Sequence, residues 1–181
     1  MNSELKLIYE GKAKKIFACK DSDKVIIEFK DDATAFNALK KAKFAGKGAL
    51  NCLISSKIFE FLIKNNIPTH YLGLKNNNSM IAQKIKIIPI EVVLRNTAYG
   101  SLCKQTTIKP GTVLETPLID FYLKNDSLND PLLTKDRINL LKKIDNKELD
   151  FISDMTLKIN KLLKTFFYNI KLDLVDFKLE F

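Results

Sequence analysis

The sequence predicts an α+β chain built on two antiparallel sheets. Three observations carry this. Residues 5–29 read as three short strands on short polar links. Residues 80–104 hold two apolar runs, rich in β-branched residues, that part at Pro89. Residues 50–63 and 146–166 repeat apolar side chains at spacings of three and four, the mark of amphipathic helices.

The first strands are expected at 5–10, 15–19 and 25–29. Their links are Gly11-Lys12-Ala13-Lys14 and Lys20-Asp21-Ser22-Asp23-Lys24, and links this short join antiparallel neighbours. Lys12 and Lys14 are two apart and leave an extended backbone on one side. A glycine that lets the main chain approach a ligand, exposed N–H groups and two ammonium groups suit a polyphosphate. They equally suit a solvated hairpin. Residues 31–38 read as a polar loop. Lys40, Lys41, Lys43 and Lys47, with Gly46 and Gly48, read as a mobile basic loop, either a lid or an exposed linker.

In the first helix, Leu50, Leu53, Ile54, Ile58, Phe61 and Leu62 form one apolar stripe, and Asn65-Asn66-Ile67-Pro68 ends it. A brief strand follows at 69–72. It carries His70, the sole histidine, expected to be structural or at the surface. Residues 75–79 turn into the next strand. Pro89 has no N–H for a ladder, so it marks the passage from one sheet to another. The following run delivers Arg95 and Asn96 to its end, and Gly100-Ser101 sits in a turn or short helix before Lys104. Charged and hydroxyl groups at the end of a rigid strand suit an anion site. The plain alternative is a buried strand with a solvated arginine.

A turn is expected at 109–112, a strand at 118–123, a polar loop at 124–131 and a weak helix at 133–144. Asn146 is the expected N-cap of the long helix, with Glu148 in its first turn. Leu149, Ile152, Met155, Ile159, Leu162, Leu163 and Phe166 would be its buried stripe. From Val175 onward alternation is strict. Val175, Phe177, Leu179 and Phe181 face one way, and Asp176, Lys178 and Glu180 the other. An acid–lysine–acid row suits a magnesium–phosphate site, or a sheet face open to water.

The chain has 181 residues, 46% hydrophobic and 28% charged, enough for one large domain or two small ones. No apolar run reaches the roughly 18–20 residues a membrane helix needs, and the first residues carry no export signal. Cys19, Cys52 and Cys103 lie far apart in sequence. That excludes a disulfide framework or zinc spacing and fits reduced thiols in a cytoplasm. The net charge is +9, yet Arg95 and Arg137 are the only arginines. Nucleic-acid readers lean on arginine, so the basic balance points to small phosphorylated ligands.

Several stretches occur together in one order: Tyr9-Glu10-Gly11-Lys12-Ala13-Lys14, Phe29-Lys30-Asp31-Asp32-Ala33-Thr34-Ala35, Arg95-Asn96, Gly100-Ser101-Leu102, Lys124-Asn125-Asp126, Asp130-Pro131 and Val175-Asp176-Phe177-Lys178-Leu179-Glu180-Phe181. This set closely resembles the SAICAR synthetase family, from near one end of the chain to the other. The resemblance implies two lobes. Residues 1–86 would form a kinase-like nucleotide-binding lobe, an antiparallel sheet with a helix. Residues 87–181 would form a substrate-binding α+β lobe, with a cleft between the two. It also implies a reaction, the ATP- and magnesium-dependent joining of L-aspartate to the carboxylate of 5-amino-1-(5-phospho-D-ribosyl)imidazole-4-carboxylate (CAIR) through an acyl phosphate.

Carried over by position, the resemblance implies that Lys12, Ala13 and Lys14 bind the triphosphate. Ile16 and Val25 would wall the adenine, and the backbone from Ala82 to Lys84 would meet its edge. Arg95 and Ser101 would anchor the ribose phosphate of CAIR, and Asp130 would contact its donor groups. Asp176 and Lys178 would stand at the reacting carboxylate, and Glu180 would bind magnesium. A homodimer without nucleic-acid or membrane partners is implied as well. The sequence departs from the family pattern at Ala38, Cys52, Tyr99, Gln105 and Asn129. The pattern also continues past Phe181 through a further acidic segment, so a shortened chain is expected. The alternative readings are a non-catalytic nucleotide-binding remnant and, from the charge alone, a nucleic-acid binder.

Overall fold

In the computed structural model, which describes residues 5–35, 40–142 and 144–181, the N-terminal meander forms as β1 (Leu7–Glu10), β2 (Lys14–Ala18) and β3 (Lys24–Phe29). It makes three strands of a five-stranded sheet. β6 (Tyr71–Asn76) and β7 (Ser79–Gln83) complete the order β1-β2-β3-β7-β6, antiparallel throughout. The alternation of β3 sends Val25, Ile27 and Phe29 into a core with Tyr71, Met80, Ala82 and Cys52.

The stretch expected to be loop between β3 and the first helix is structured. β4 (Asp32–Ala35) and β5 (Lys40–Lys43) pair as a hairpin, and α1 (Lys47–Lys64) starts at once behind it. The polar composition hid a local device. Asp31 accepts from the N–H of Gly46 at 3.3 Å and of Gly48 at 2.8 Å, and the Asp31 carbonyl accepts from the Phe44 N–H at 3.0 Å. One aspartate thus caps a helix fifteen residues away and draws the hairpin arms together. Ala38, at the tip of the expected polar loop, lies outside the described residues.

Only the second half of the expected α1 stripe packs: Leu62 is buried and Ile58 and Phe61 are half-buried, whereas Leu50, Leu53 and Ile54 are exposed at 59%, 41% and 48%, and Gly48, Cys52 and Ser56 are buried in their place. The sheet face is already filled by large side chains, so the helix meets it through small ones. A Cβ at Gly48 would lie 2.4 Å from the Phe29 carbonyl oxygen. No side chain fits there, and glycine is what permits the approach.

The second sheet begins after Pro89, as expected. β8 (Ile90–Thr97) pairs with β9 (Val113–Leu123) on one side and β11 (Asp176–Glu180) on the other, and β10 (Leu132–Leu133) adds to β9. The strand expected at 118–123 starts five residues earlier. Its ladder to β8 is irregular between Thr97↔Val113 and Arg95↔Leu118, and Pro117 falls in that irregular stretch, where a missing N–H is tolerated. Between β8 and β9 lies the short α2 (Ser101–Gln105).

Thr134 caps α3 (Lys135–Leu141), so the weak helix is shorter than expected. The long helix is α4 (Asn146–Tyr168). Its N-cap is Asp145 rather than Asn146, because Asp145 and Glu148 close a capping box with two 2.8 Å bonds. Its buried stripe holds Leu149, Ile152, Ile159 and Leu163 but also the polar Thr156 and Asn160, while Met155, Leu162 and Phe166 are half-buried. Ile90, Val92 and Phe121 from the sheet, Leu133, and Ile138, Ile144, Leu149 and Ile152 from the helical segment make the core. The chain divides into two compact units, Met1–Lys86 and Ile87–Phe181. No described helix is long and apolar enough to cross a membrane.

Candidate functional site

Strand register decides which polar groups of the second unit meet. Asp176 stands opposite Arg95, Lys178 opposite Val93 and Glu180 opposite Glu91. On the far side of β8, Val93 stands opposite Asp120 and Glu91 opposite Tyr122. Side chains directly opposite share a face. One face of this sheet therefore carries Asp176, Lys178, Glu180, Glu91, Arg95, Asp120 and Tyr122. The other face carries the apolar set that packs the core.

Arg95 is the centre of the face, with 8% of its side chain exposed. Its Nη2 donates to Ser101 Oγ at 2.9 Å and to the Tyr122 hydroxyl at 3.5 Å. Nη1 donates to the Tyr99 carbonyl at 3.2 Å, and Nε to Asp120 Oδ2 at 3.4 Å. Asp176 Oδ2 lies 3.6 Å from Nη1. Burial works against the guanidinium charge. The Tyr122 oxygen and the Asp120 carboxylate more than offset it, and the pKa stands above the ordinary arginine value. Gly100 makes this possible. Its φ of 63° and ψ of −129° turn the chain so that the Tyr99 carbonyl and the Ser101 hydroxyl both reach the arginine.

The rest of the face is a chain of alternating charge. Lys178 reaches Glu91 at 2.8 Å; Lys124 lies 3.6 Å from Glu91 and 2.6 Å from Glu180. Burial disfavours the Lys124 charge, but Glu180 and then Glu91 raise its pKa above the usual lysine value. Among the described residues, no group of three or more His, Cys, Asp or Glu gathers around one point. Magnesium needs less, because one or two carboxylates with phosphate oxygens and water suffice. Glu180 and Glu91, opposed across β8–β11 with a single ammonium between them, have the right donor chemistry.

Asp130 sits at the end of the loop that follows β9. Its Oδ1 accepts from the Asn125 N–H at 2.8 Å, and both Asn129 (φ 57°) and Asp130 (φ 45°) are left-handed. Asp130 thus organises its own loop. Tyr99 gives its carbonyl to Arg95 while the residue is 45% exposed, and Gln105 is exposed.

In the first unit, Lys12 and Ala13 on the β1–β2 link and Lys14 at the start of β2 are exposed, with the Lys14 Nζ 4.9 Å from the centre of the Phe29 ring. A third lysine fastens the link. Lys30 reaches Glu10 and Asp32 at 2.7 Å each, its Nζ lies 3.4 Å from the Gly11 carbonyl, and its N–H donates to the Ala13 carbonyl at 2.9 Å. The register sets Lys14 opposite Phe29, Ile16 opposite Ile27, and Val25 opposite Ala82. Lys14, Ile16, Val25 and Ala82 therefore share one face. Val25 (7% exposed) and Ala82 (0%) belong to the core, and Ile16 packs against it half-buried. The N–H groups of Gln83 and Lys84 go to His70 and Asp23, both at 2.7 Å. His70 packs edge-on against Phe59, and burial, then the Lys14 charge, pull its pKa below 6.5.

Sequence reasoning did not single out Glu91, Asp120, Tyr122 or Lys30 as site or anchoring residues. The first three were recoverable from period two: Glu91 and Arg95 lie four apart on one strand, and Asp120 and Tyr122 lie two apart on another. Lys30 sits within a family-like stretch, but apart from Asp32 its partners, Glu10, Gly11 and Ala13, come from a stretch some twenty positions earlier.

A family model described as SAICAR synthetase matches residues 7–181. The chain is 91% identical over 181 residues to a phosphoribosylaminoimidazole-succinocarboxamide synthase of Prochlorococcus marinus subsp. pastoris, covering all of this chain and 75% of that protein. A crystal structure of phosphoribosylaminoimidazole-succinocarboxamide synthase from Ehrlichia chaffeensis superposes with a TM-score of 0.95 at 46% identity, covering 97% of this chain and 74% of that one. A SAICAR synthetase solved in complex with ADP superposes with a TM-score of 0.92 at 43% identity, covering 97% and 74%.

Proposed function

The chain belongs to the SAICAR synthetase family, ATP-dependent ligases of purine biosynthesis, and from that premise we propose how its own residues serve the reaction. The carboxylate of CAIR attacks the γ-phosphorus of ATP. The bond from that phosphorus to the β–γ bridging oxygen breaks, and ADP leaves with the electron pair. The amine of L-aspartate then attacks the acyl carbon of the resulting acyl phosphate. Inorganic phosphate leaves, the amine loses a proton, and the amide of SAICAR remains. Little covalent chemistry falls to the protein, which must position two anions and neutralise them.

Lys12 and Lys14 hold the phosphates of ATP, with the Ala13 backbone between them, and Ile16, Val25 and the 82–84 backbone receive its base. Arg95 and Ser101 bind the ribose phosphate of CAIR, a task that suits a forked guanidinium beside a hydroxyl. Asp130 accepts from donor groups of CAIR. Lys178 offsets the charge of the reacting carboxylate while Asp176 orients it. Glu180, with Glu91 opposite, would hold magnesium, which when bound supplies charge neutralisation at the transferring phosphoryl group. The setting is the cytoplasm, with the protein as a homodimer and no nucleic-acid or membrane partner.

The observation that carries this reading is the convergence on one sheet face of Arg95, Ser101, Asp176, Lys178 and Glu180, contributed by segments up to 85 positions apart. The test is turnover. ATP, CAIR and aspartate should give ADP and SAICAR, and ATP with magnesium should raise the melting temperature. Lys14→Met and Glu180→Gln should each abolish that rise. A full thermal shift in both variants would show the nucleotide assignments to be wrong.

A further inference from the structure

Asn96 follows Arg95 on β8, points to the opposite face, and has no part in the chemistry above. Its side chain is buried against Asn160 of α4, at 7% and 3% exposure. The two amides close a reciprocal pair. Asn96 Nδ2 donates to Asn160 Oδ1 at 2.9 Å, and Asn160 Nδ2 donates to Asn96 Oδ1 at 2.9 Å. Asn96 Nδ2 also donates to the Leu174 carbonyl at 3.0 Å. The main chain repeats the grip one residue on: the N–H groups of Asn96 and Thr97 donate to the Val175 carbonyl at 2.8 and 3.2 Å. The next residue is Asp176, opposite Arg95.

The polar stripe of α4 sharpens the point. Thr156 is buried too, but it donates to the Ile152 carbonyl of its own helix at 2.7 Å and needs nothing else. The Asn160 amide leaves its helix to meet another amide. A leucine there would avoid the desolvation of one amide, yet it would strand the Asn96 oxygen without a donor. A buried polar pair is costly to half-satisfy and so specifies one arrangement. The arrangement matters because a slip of one residue in β11 would turn Asp176, Lys178 and Glu180 to the core side.

We propose that the Asn96–Asn160 amide pair positions the site: by holding the Leu174 carbonyl, beside the main-chain bonds of Asn96 and Thr97 to Val175, it sets the register of β11 and holds Asp176 and Lys178 on the face of Arg95. The claim about substrate rests on the reading that this face binds CAIR; the claim about register does not. Two variants test both in the full chain. In Asn160→Ala, amide exchange at Asn96 and Thr97 should quicken about tenfold or more while the β9–β10 amides keep their protection. KM for CAIR should rise about tenfold, with KM for ATP within about twofold. In Asn160→Asp, the ionised carboxyl only accepts, but the protonated form again has one donor and one acceptor. Its KM defect for CAIR, taken against the parent protein at each pH, should therefore shrink as pH falls. This second variant decides the matter if the alanine variant does not fold. Unchanged exchange at Asn96 and Thr97, or a defect shared equally by ATP and CAIR and flat with pH, overturns the proposal. If the parent protein binds no CAIR, the functional reading falls, and the exchange result alone decides the register claim.

Discussion

The value of a charged contact in this protein depends on how little water reaches it. Arg95 is nearly buried, and its two carboxylates are unequal. Asp120 has 16% of its side chain exposed and lies on Nε, while Asp176 has 41% exposed at 3.6 Å. Removing the partner of a buried charge costs about 3–5 kcal/mol, and an exposed ion pair is worth about 1 kcal/mol at most. Asp120→Ala should therefore lower stability by about 3 kcal/mol, and Asp176→Ala by under about 1 kcal/mol while impairing turnover more, as urea unfolding and assay will report. The Lys30 cluster makes a pH prediction. The hydrogen bond from Lys30 holds Glu10 and Asp32 below their ordinary values of 4.5 and 3.8. Their contribution to stability is present above those values and lost as pH falls through the depressed ones. Lys30 itself is raised, by Asp32 and then Glu10, so on the alkaline side the same contribution is lost only as pH rises through that raised value. Between about pH 5 and 2 the urea midpoint should drop more steeply for the parent than for Lys30→Met. Arg95, Ser101 and the final acid–lysine–acid row were legible as residues, because strand ends and strict alternation announce them. Asp120 and Tyr122 were not singled out, because their importance lies in which arginine they face.

Among elements, α1 shows how apolar periodicity can mark a packed face over only part of a helix. The expected stripe packs through Ile58, Phe61 and Leu62, but at its start Leu50, Leu53 and Ile54 are exposed and the Gly48-Cys52-Ser56 side makes the close approach. Gly48→Ala places a methyl against the Phe29 backbone, which cannot rotate away. Overpacking of this kind costs about 1–3 kcal/mol, and the loss should appear in urea unfolding without change in turnover per folded molecule. Burial also raises the Cys52 pKa above 9.0, so this thiol is an inert filler of the close approach. The hairpin of β4 and β5 was illegible for a different reason. Its residues have loop composition, and the helix cap that organises them, Asp31, is remote in sequence from what it caps. The capping box of α4 was half legible: Glu148 was placed in the first turn, but the cap lies one residue earlier.

For the whole molecule, a net charge of +9 allows two outcomes that salt separates. Diffuse attraction to a polyanion fades with ionic strength, whereas a built phosphate site persists. Binding to a single-stranded RNA oligomer, read by fluorescence anisotropy, should be weak and vanish by about 0.2 M salt, while the ATP–magnesium thermal shift survives. Tight RNA binding at that salt with no effect of nucleotide would reverse the assignment.

The amino-acid sequence by itself determined that Pro89 separates two sheets, that 175–181 alternates polar and apolar, and, through an ordered set of short stretches, which family the chain belongs to. Those properties are local or additive along the chain, so they survive without coordinates. Only the tertiary structure decided which carboxylates Arg95 meets, which face of α1 is buried, and that Asn96 and Asn160, 64 positions apart, form one amide pair. Each of these depends on strand register and on the space left by neighbouring elements, and neither is written in any single stretch of residues.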